Sequence, residues 1–446
     1  MMEFRPILLI VGILLVTLSV AMSLPAAVDA YHDNSDWQVF ATAAAITLFT
    51  GLALVLSCRT DRFKLGLRQA FVMTTMSWVA ITLFGALPFC FSNLNLSITD
   101  SIFEAMSGIT TTGSTVIVGL DMAPPGIHLW RGLLQWLGGL GIIVMAISVM
   151  PMLGVGGMQM FRAEAFETGE KTLPRAAQIS AALSLLYLAL TTIWTILLYA
   201  AGMSWLEATV HAMTTIATGG FSTRDASVGG FASPLVDLII VVGMLAGSLP
   251  FLLYLRVLQG EYLVLFRDTQ VRWFFTIVAC AVVVATTFIW FGVGLSLPES
   301  LRYGAFNVIS VMTGTGYATS DYWQWGAFAG PMFFFVMFIG GCTGSTTCGI
   351  KIFRFQVLYA AANTQFRHLY QPHGVFVPYY NHRPIPEAVI ASVLSFFFVF
   401  GVCFAVLAVA LGMLGLDAVT AISSAATAIC NVGPALGPIA GPAGSF

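Results

Sequence analysis

The sequence predicts an all-α polytopic membrane protein that contains four copies of one short motif. Of the 446 residues, 58% are hydrophobic and 9% are charged, and the mean hydropathy is +0.90. Soluble domains carry about 25% charged residues. The hydrophobic residues fall in windows of about 20 residues, the length of helix needed to cross about 30 Å of hydrocarbon. Several connections between these windows contain similar runs of Gly and Thr.

Nine apolar windows are long enough to be transmembrane helices. The first follows Arg5 and is longer than the roughly 7–15 apolar residues of a signal peptide, so we interpret it as a retained helix. The windows are 7–26, 38–57, 70–91, 128–152, 177–201, 234–258, 271–294, 331–358 and 386–411.

The distribution of basic residues predicts the orientation. With the amino terminus in the cytoplasm, all but three of the 18 Lys and Arg residues fall on the cytoplasmic side; the exceptions are Arg131, Arg224 and Arg302. This asymmetry is the positive-inside pattern of membrane proteins. The formal net charge of −2 does not favour a nucleic-acid partner. The seven Cys residues lack C-x-x-C spacing, and we interpret most of them as packing residues.

The repeated motif aligns without gaps in four places. Each copy has a Gly in the same column and a Ser or Thr six residues before it. We predict a short re-entrant helix followed by an extended turn in each copy, with the helices at 100–110, 205–216, 299–312 and 417–429. The copies are FEAMSGITTTGST at 103–115, VHAMTTIATGGFS at 210–222, FNVISVMTGTGYA at 306–318 and SSAATAICNVGPA at 423–435.

Four extended turns in one chain can surround a single axis. Backbone carbonyl oxygens in such a ring replace the water shell of a cation without adding fixed charge, as in potassium channels. Glycine permits the backbone dihedral angles of the turn, and the carboxyl-terminal dipole ends of the helices favour a cation. For one copy alone, a helix-packing site or a plain loop is an alternative. The candidate filter comprises Thr111, Thr112, Gly113, Thr218, Gly219, Gly220, Gly314, Thr315, Gly316, Asn431, Val432 and Gly433.

The sequence IGGCTGSTTCGIK at 339–351 interrupts the eighth apolar window. Its Gly and β-branched Thr residues predict a broken helix, and broken helices in membranes line cavities. A simple kink that lets two helices pack closely is the alternative. The segment also resembles a phosphate-binding loop, but Ile350 separates Gly349 from Lys351 and no Ser or Thr follows the Lys. This mismatch argues against nucleotide binding by this chain.

Several polar residues lie near the predicted short helices. We interpret Asp100, Glu104 and Glu207 as helix caps; an acidic outer vestibule that concentrates cations is the alternative. His211 is interpreted as a core residue, with pH sensing as the alternative.

Two cytoplasmic stretches, 161–175 and 366–387, are candidates for docking a partner. The second contains His368, His373 and His382, whose irregular spacing does not favour a metal site.

Five motifs together resemble one protein family, along nearly the whole chain. The chain resembles the TrkH subunits of bacterial potassium uptake systems, in the superfamily that includes KtrB and plant HKT transporters. The resemblance implies two leading helices and then four membrane-pore-membrane units around a central ion pore. It also implies a homodimer that is gated by TrkA, a cytosolic ring of nucleotide-binding RCK domains. The motifs are TTTGST at 110–115, WRGLLQWLGGLGIIV at 130–144, TGGFST at 218–223, TGTGYAT at 313–319 and GGCTGSTTCGIK at 340–351.

The resemblance divides the chain into five parts. Residues 1–69 are the two leading transmembrane helices with a basic cytoplasmic loop. The repeats are 70–160, 161–258, 259–360 and an incomplete 361–446, with filters near 110–115, 217–222, 313–318 and 430–435. The family has a closing helix with a pore-facing basic residue after the fourth filter. The sequence reaches GPAGSF before such a helix, so we expect that helix in the working protein and assign no pore arginine.

The resemblance also assigns a gate and an ion. In the family, the segment that matches 339–351 is a loop beneath the filter that blocks the pore until the cytosolic ring moves it. Glycine in all four filter columns is associated in the family with a preference for K⁺ over Na⁺. The implied K⁺ is the transported ion, and no organic cofactor is implied in this chain. The implied gate residues are Gly340, Gly341, Gly344, Ser345, Thr346, Thr347 and Gly349.

The implied function is channel-like, potassium-selective uptake across the lipid bilayer of the bacterial inner membrane, with no enzymatic activity. A cation-coupled K⁺ symporter is the first alternative, because such transporters also have broken helices at mid-membrane. An intramembrane enzyme that uses Ser345 and His211 is a weaker one. The predicted orientation places those two side chains on opposite sides of the membrane, where a nucleophile and its base could not meet.

Overall fold

The computed structural model describes residues 3–59, 66–148, 172–381 and 383–442. In these ranges seven helices are long and apolar enough to cross a membrane, or eight if one bent pair counts as a single span. The all-α polytopic membrane fold is therefore confirmed. Of the docking candidate at 161–175, residues up to 171 lie outside the described part, as do His382 and residues 443–446.

The helices are numbered here in chain order. Near their ends lie 3₁₀ turns at Leu120–Met122, Ser227–Phe231 and Tyr322–Trp325 and a π-helical turn at Ile289–Val293. A short antiparallel strand pair joins Tyr379–Tyr380 (β1) to Arg383–Pro384 (β2). The helices are α1 Arg5–Tyr31, α2 Trp37–Ser57, α3 Leu67–Gly85, α4 Leu87–Phe91, α5 Ile98–Ile109, α6 Pro125–Ser148, α7 Thr172–Ala200, α8 Trp205–Ile216, α9 Pro234–Gly247, α10 Phe251–Leu258, α11 Val264–Arg267, α12 Thr269–Phe288, α13 Leu297–Thr313, α14 Ala329–Met337, α15 Ile352–Tyr370, α16 Glu387–Met413, α17 Ala418–Cys430 and α18 Gly437–Ala440.

One of the nine predicted spans is wrong as a straight helix, and another is broken as predicted. The window 234–258 is divided into α9 and α10, which are bent by 92°. The window 331–358 is divided into α14 and α15 by an irregular segment, as expected for a broken helix. At the first break Pro250 has no backbone N–H to donate, and the N–H of Phe251 donates to the carbonyl oxygen of Gly344 at 2.9 Å. A hydrogen bond from a distant loop therefore replaces a helical one.

The four short helices predicted from the repeated motif are α5, α8, α13 and α17, and their observed ends agree with the prediction within two residues. Each begins at a polar N-cap. The Ser97 hydroxyl accepts from the backbone N–H of Asp100 at 3.1 Å, and the Ser204 hydroxyl accepts from that of Glu207 at 3.3 Å. Ser296 is the N-cap of α13 in a capping box, and Asp417 is the N-cap of α17. These caps satisfy backbone donors that have no partner within the helix.

The cap of α8 gives a stability prediction. Ser204→Ala removes the acceptor for the N–H of Glu207, so we expect the free energy of unfolding to fall by about 1 kcal/mol. The midpoint of thermal unfolding in detergent measures the effect. Ser204→Thr keeps an acceptor hydroxyl and should lose less. An equal loss in the two variants would contradict the role of the cap.

The leading helices pack against the first short helix. Gly12 of α1 and Gly51 of α2 bring these two helices into close contact, because a Cβ on Gly12 would lie 2.9 Å from the carbonyl oxygen of Gly51. The buried Trp130 of α6 donates its indole N–H to the carbonyl oxygen of Gly85 at 3.0 Å. A hydrophobic cluster of α1, α2, α5 and α6 residues therefore supports one side of the molecule. A larger cluster, which includes residues of α7, α8, α9, α12 and α13, supports the rest.

Candidate functional site

Four turns follow the four short helices, and they share one backbone conformation. We call them turn 1 (111–113), turn 2 (218–220), turn 3 (314–316) and turn 4 (431–433); together they are the candidate filter. Each turn begins and ends with a residue at positive φ. The first residues, Thr111, Thr218, Gly314 and Asn431, have φ of 60°, 51°, 72° and 58°, and the last, Gly113, Gly220, Gly316 and Gly433, have φ of 90°, 81°, 85° and 105°.

The four turns form a closed ring. A Cβ atom on the last glycine of each turn would lie under 3.0 Å from a carbonyl oxygen of the next turn, so these glycines are required by space as well as by φ. All four glycines also line one cavity of about 120 Å³. The pairs are Gly113 with Gly219 O, Gly220 with Thr315 O, Gly316 with Val432 O, and Gly433 with Thr112 O.

Each turn is tied to its helix by the same backbone hydrogen bond. The middle residue donates its N–H to the carbonyl oxygen of the Ser or Thr that stands six residues before the ring glycine. This places the carboxyl-terminal end of each helix, where the dipole is negative, beside the ring. The bonds are Thr112 to Ser107 at 2.9 Å, Gly219 to Thr214 at 2.8 Å, Thr315 to Ser310 at 2.9 Å and Val432 to Thr427 at 3.1 Å.

The side chains of the same Ser/Thr column hold the far ends of three turns. The hydroxyl of Ser107 donates to the carbonyl oxygen of Ser114 at 2.5 Å, and that of Ser310 donates to Tyr317 O at 2.6 Å. The hydroxyl of Thr427 donates to Gly433 O at 3.1 Å. Thr214 differs, because its hydroxyl contacts the Tyr317 hydroxyl of turn 3's segment. These hydrogen bonds to the turns explain why the column contains Ser and Thr, whose side chains are short and carry a hydroxyl.

Turn 4 is joined to turn 1 through a side chain. The Nδ2 of Asn431 donates to the carbonyl oxygen of Thr110 at 2.8 Å, and its Oδ1 accepts from the Thr112 hydroxyl. The hydroxyl of Ser114 donates to Gly433 O at 2.9 Å. Sequence analysis placed Asn431 and Thr112 in the filter but did not predict that their side chains bond to each other. The two residues are far apart in the chain, and no local pattern indicates the contact.

The segment 339–351, which we call the gate loop, lies against the ends of two short helices beside the ring. The hydroxyl of Thr346 lies 3.0 Å from Ile216 O at the end of α8, and Thr218 donates to it at 3.2 Å. The N–H of Gly349 donates to Cys430 O at the end of α17 at 2.9 Å. The gate loop therefore contacts turn 2 directly and the helix that precedes turn 4.

The gate loop is a hydrogen-bonded hairpin. The N–H groups of Ile350 and Lys351 donate to Phe338 O and Ile339 O at 3.1 and 3.0 Å. Gly340, Gly344 and Gly349 have positive φ of 72°, 82° and 77°. Near the turn of the hairpin, the Ser345 hydroxyl lies 2.7 Å from that of Thr347. A Cβ on Gly341, across the hairpin, would collide with the Thr347 side chain.

The gate loop also explains the break between α9 and α10. The N–H groups of Cys342 and Thr346 donate to Ser248 O and Gly247 O at 3.1 and 3.2 Å. These carbonyl groups end α9 and would have no helical partner.

Glu104 is not a helix cap, unlike Asp100 and Glu207. It lies in the middle of α5 and is fully buried. Its Oε1 accepts from the Nε of Arg131 at 2.8 Å and from the Thr115 hydroxyl at 2.9 Å, and its Oε2 accepts from Val116 N–H at 3.1 Å. The buried ion pair therefore supports the segment that follows turn 1. Sequence analysis placed Arg131 on the external side and did not predict this pairing across 27 residues.

His211 is a hydrogen-bonded core residue, as interpreted from the sequence. It is fully buried, its Nδ1 lies 2.8 Å from Glu207 O, and its Nε2 lies 3.0 Å from the Ser222 hydroxyl. The Ser345 hydroxyl bonds within the gate loop, to Cys342 O at 2.5 Å. The proposed nucleophile and base of an intramembrane enzyme are therefore each engaged with other partners.

Charged residues also line the ring cavity. Arg224 and Asp225 both line it. The Arg224 guanidinium binds Glu207 at 2.6 Å and Asp121 at 3.5 Å. Its hydrogen bond to Glu207 raises the pKa of Arg224, so it stays charged at this position. Asp225 accepts from the N–H groups of Gly119 and Leu120 at 3.0 and 2.9 Å, which links the loops after turns 1 and 2.

Comparisons with known proteins give consistent results. The profile of the TrkH family, described as a cation transport protein, matches residues 36–443. The Trk system potassium uptake protein TrkI of Halomonas elongata is 43% identical over 448 residues, covering 100% of this chain and 90% of that protein. The TrkH protein of Escherichia coli K12 is 36% identical over 444 residues, covering 98% and 92% of the two chains.

A solved structure agrees with these sequence comparisons. The crystal structure of the potassium transporter TrkH from Vibrio parahaemolyticus matches with a TM-score of 0.91 and 34% identity. The match covers 98% of this chain and 91% of that one. On the family profile, the full-length relatives and the shared fold, this chain belongs to the TrkH family of cation transport proteins.

Proposed function

We propose that this chain carries K⁺ selectively across the membrane through the candidate filter. The observation that carries the proposal is the closed ring of four turns whose last glycines all line one cavity. Carbonyl oxygens in such a ring replace the hydration shell of a monovalent cation. The names of the relatives, potassium uptake proteins and a potassium transporter, support K⁺ as the transported ion.

Transport is channel-like in this proposal. K⁺ enters passively, driven by a membrane potential worth about 2.3 kcal/mol per charge per 100 mV. The ring glycines have no side chain, and the charged residues that line the ring cavity are all engaged: Arg131 with Glu104, Arg224 with Glu207, and Asp225 with backbone N–H groups. A coupled symporter would need an ionisable or coordinating site for its second ion. Uptake that persists without a gradient of H⁺ or Na⁺ would favour channel-like transport over a coupled symporter.

The gate loop closes the path in this proposal, and a cytosolic partner opens it. Its contacts with α8, α9 and α17 hold it beside the ring. The partner is a TrkA-like ring of nucleotide-binding RCK domains, and the chain acts as a homodimer in the inner membrane with its amino terminus in the cytoplasm. The word "system" in the relatives' names supports a partner subunit, and the positive-inside charge pattern supports the orientation.

The test of the proposed function compares K⁺ and Na⁺ uptake into proteoliposomes for the native chain and for Gly113→Ser. Serine at φ +90° beside Gly219 O must displace turn 1 or turn 2, so we expect the preference for K⁺ over Na⁺ to fall by about tenfold, a change of about 1.4 kcal/mol. Gly119→Ser is the matched control, because Gly119 has φ of +80° and no atom within 4 Å of its Cβ position. An unchanged preference in Gly113→Ser would contradict the filter assignment.

A further inference from the structure

The side chain of Gln135 contacts turn 2 on both sides of its ring glycine. Gln135 lies on α6 and is fully buried. Its Nε2 donates to the carbonyl oxygen of Gly219 at 2.6 Å, and its Oε1 accepts from the N–H of Phe221 at 3.1 Å. The orientation of the amide is fixed by this pairing, since one partner offers only an acceptor and the other only a donor.

Gln135 also accounts for a difference between the four turns. The middle residue is Thr112 in turn 1, Thr315 in turn 3 and Val432 in turn 4, but it is Gly219 in turn 2. Gly219 is not among the residues with positive φ, so its backbone conformation does not require glycine. A Cβ there would lie under 3.0 Å from the side-chain amide of Gln135. The amide of Gln135 therefore occupies the space that a side chain fills in the other turns.

A second residue of α6 holds the same segment. Arg131 lies four residues before Gln135 and therefore on the same face of the helix. Its guanidinium donates to Ser222 O at 2.7 Å and is itself held by the buried carboxylate of Glu104 at 2.8 Å. Backbone groups of residues 219, 221 and 222 are thus bound by two neighbouring side chains of one long helix. The position of turn 2 is set by α6 as well as by its own short helix.

These contacts bear on how the ring chooses an ion. Gly219 O faces turn 1, where it approaches the Cβ position of Gly113. A carbonyl oxygen has two lone pairs, and the bond from Gln135 occupies one and fixes the direction of the other. The number and orientation of carbonyl ligands are one source of selectivity in such filters.

Resting on the proposed function, we propose that Gln135 is a positioning residue that orients the Gly219 carbonyl and thereby sets the preference of the ring for K⁺ over Na⁺.

The test measures the ratio of K⁺ to Na⁺ uptake into proteoliposomes. Gln135→Met keeps the length of the side chain but can neither donate to Gly219 O nor accept from Phe221 N–H. We expect the ratio to fall by about tenfold, which corresponds to about 1.4 kcal/mol. Gln135→Asn is one methylene shorter and cannot reach both groups, so the ratio should change in the same direction. Because both fluxes pass through the same molecules, partial loss of folded protein does not change the ratio.

Trp136→Phe is the matched control on the same helix. It removes a partly buried hydrogen bond of α6, from the indole N–H to the Thr191 hydroxyl at 3.0 Å, on a side chain that faces α7. We expect Trp136→Phe to keep the native ratio. If it changed the ratio as much as Gln135→Met did, general loosening of α6 would explain the effect and the proposal would be overturned.

The remaining outcomes separate this proposal from the proposed function. A native ratio in both Gln135 variants, together with a changed ratio in Gly113→Ser, would overturn the role of Gln135 and leave the filter intact. Native ratios in all three would reject the filter itself. If Gln135→Met carries no flux, thermal unfolding in KCl and in NaCl replaces uptake. If the unfolding midpoint of Gln135→Met differed between KCl and NaCl as much as that of the native chain, the proposal would be overturned. A smaller difference between the two salts would support it.

Discussion

Replacing Arg131 with methionine is expected to lower the free energy of unfolding by about 3–5 kcal/mol, because the variant leaves the carboxylate of Glu104 buried without its partner. The side chains of Glu104 and Arg131 are 0% and 1% exposed, and 2.8 Å separates Oε1 from Nε. The variant also loses the bond to Ser222 O and the contact of the guanidinium with the Phe221 ring, 4.1 Å from its centroid. Denaturant-induced unfolding in detergent measures the loss.

A double variant separates the buried charge from the lost packing. Glu104→Gln in the Arg131→Met background removes the unpaired charge and keeps one acceptor oxygen for the N–H of Val116, while the amide NH2 can donate to the Thr115 hydroxyl. We expect the double variant to be more stable than Arg131→Met alone, since removing both charges of a buried pair costs less than removing one. A double variant as unstable as the single one would show that the carboxylate is not an uncompensated charge.

An exposed ion pair serves as the control for this prediction. Asp121 and Arg224 are 46% and 39% exposed and lie 3.5 Å apart. Exposed pairs contribute about 0–1 kcal/mol because water screens both charges. Asp121→Asn is therefore expected to change stability by less than about 1 kcal/mol.

The repeated elements could be predicted from the sequence because their signals are local. Ser97 with Asp100, Ser204 with Glu207 and Ser296 with Glu299 stand three residues apart at helix starts, which is the spacing of a capping box. The aligned glycines follow at a constant distance from each Ser or Thr. Short helices and turns with positive φ depend mainly on such nearby residues, so gap-free alignment was sufficient to locate them.

The contacts between repeats could not be predicted, because they join residues far apart in the chain. Gln135 and Gly219 are 84 residues apart, and Thr112 and Asn431 are 319 apart. The bend between α9 and α10 depends on the N–H groups of the gate loop, which follows about 90 residues later in the chain. The window 234–258 is predominantly apolar, so a straight span was the natural expectation. Hydrogen bonds between this window and the gate loop bend the span instead.

Replacing Thr346 with valine is expected to raise K⁺ uptake in the absence of a cytosolic partner by about fivefold or more. The Thr346 hydroxyl lies 3.0 Å from both Ile216 O and Gly247 O, and Thr218 donates to it at 3.2 Å. Valine has nearly the same shape but makes none of these bonds. Each lost bond removes about 0.5–1.5 kcal/mol from the conformation that contains it. Two lost bonds, together worth about 1–3 kcal/mol, therefore shift the balance between closed and open loop by about fivefold to more than a hundredfold.

Thr191→Val is the matched control for the gate. The Thr191 hydroxyl is also buried, donates to Tyr187 O at 2.8 Å and accepts from the indole N–H of Trp136 at 3.0 Å. It makes a similar number of bonds, one within α7 and one to α6, away from the gate loop. We expect Thr191→Val to lose stability without gaining uptake. Raised uptake in both variants would mean that any loosening of the protein opens a path.

The ion preference of the raised uptake shows which path is open. If Thr346→Val releases the gate loop and leaves the ring in place, the additional flux must still pass the four turns and keep the native ratio of K⁺ to Na⁺. A leak through a disordered protein would lose that ratio, because no ring of carbonyl oxygens would replace the water shell of the ion. Unchanged uptake in a folded Thr346→Val protein would show that these hydroxyl contacts do not hold the path closed.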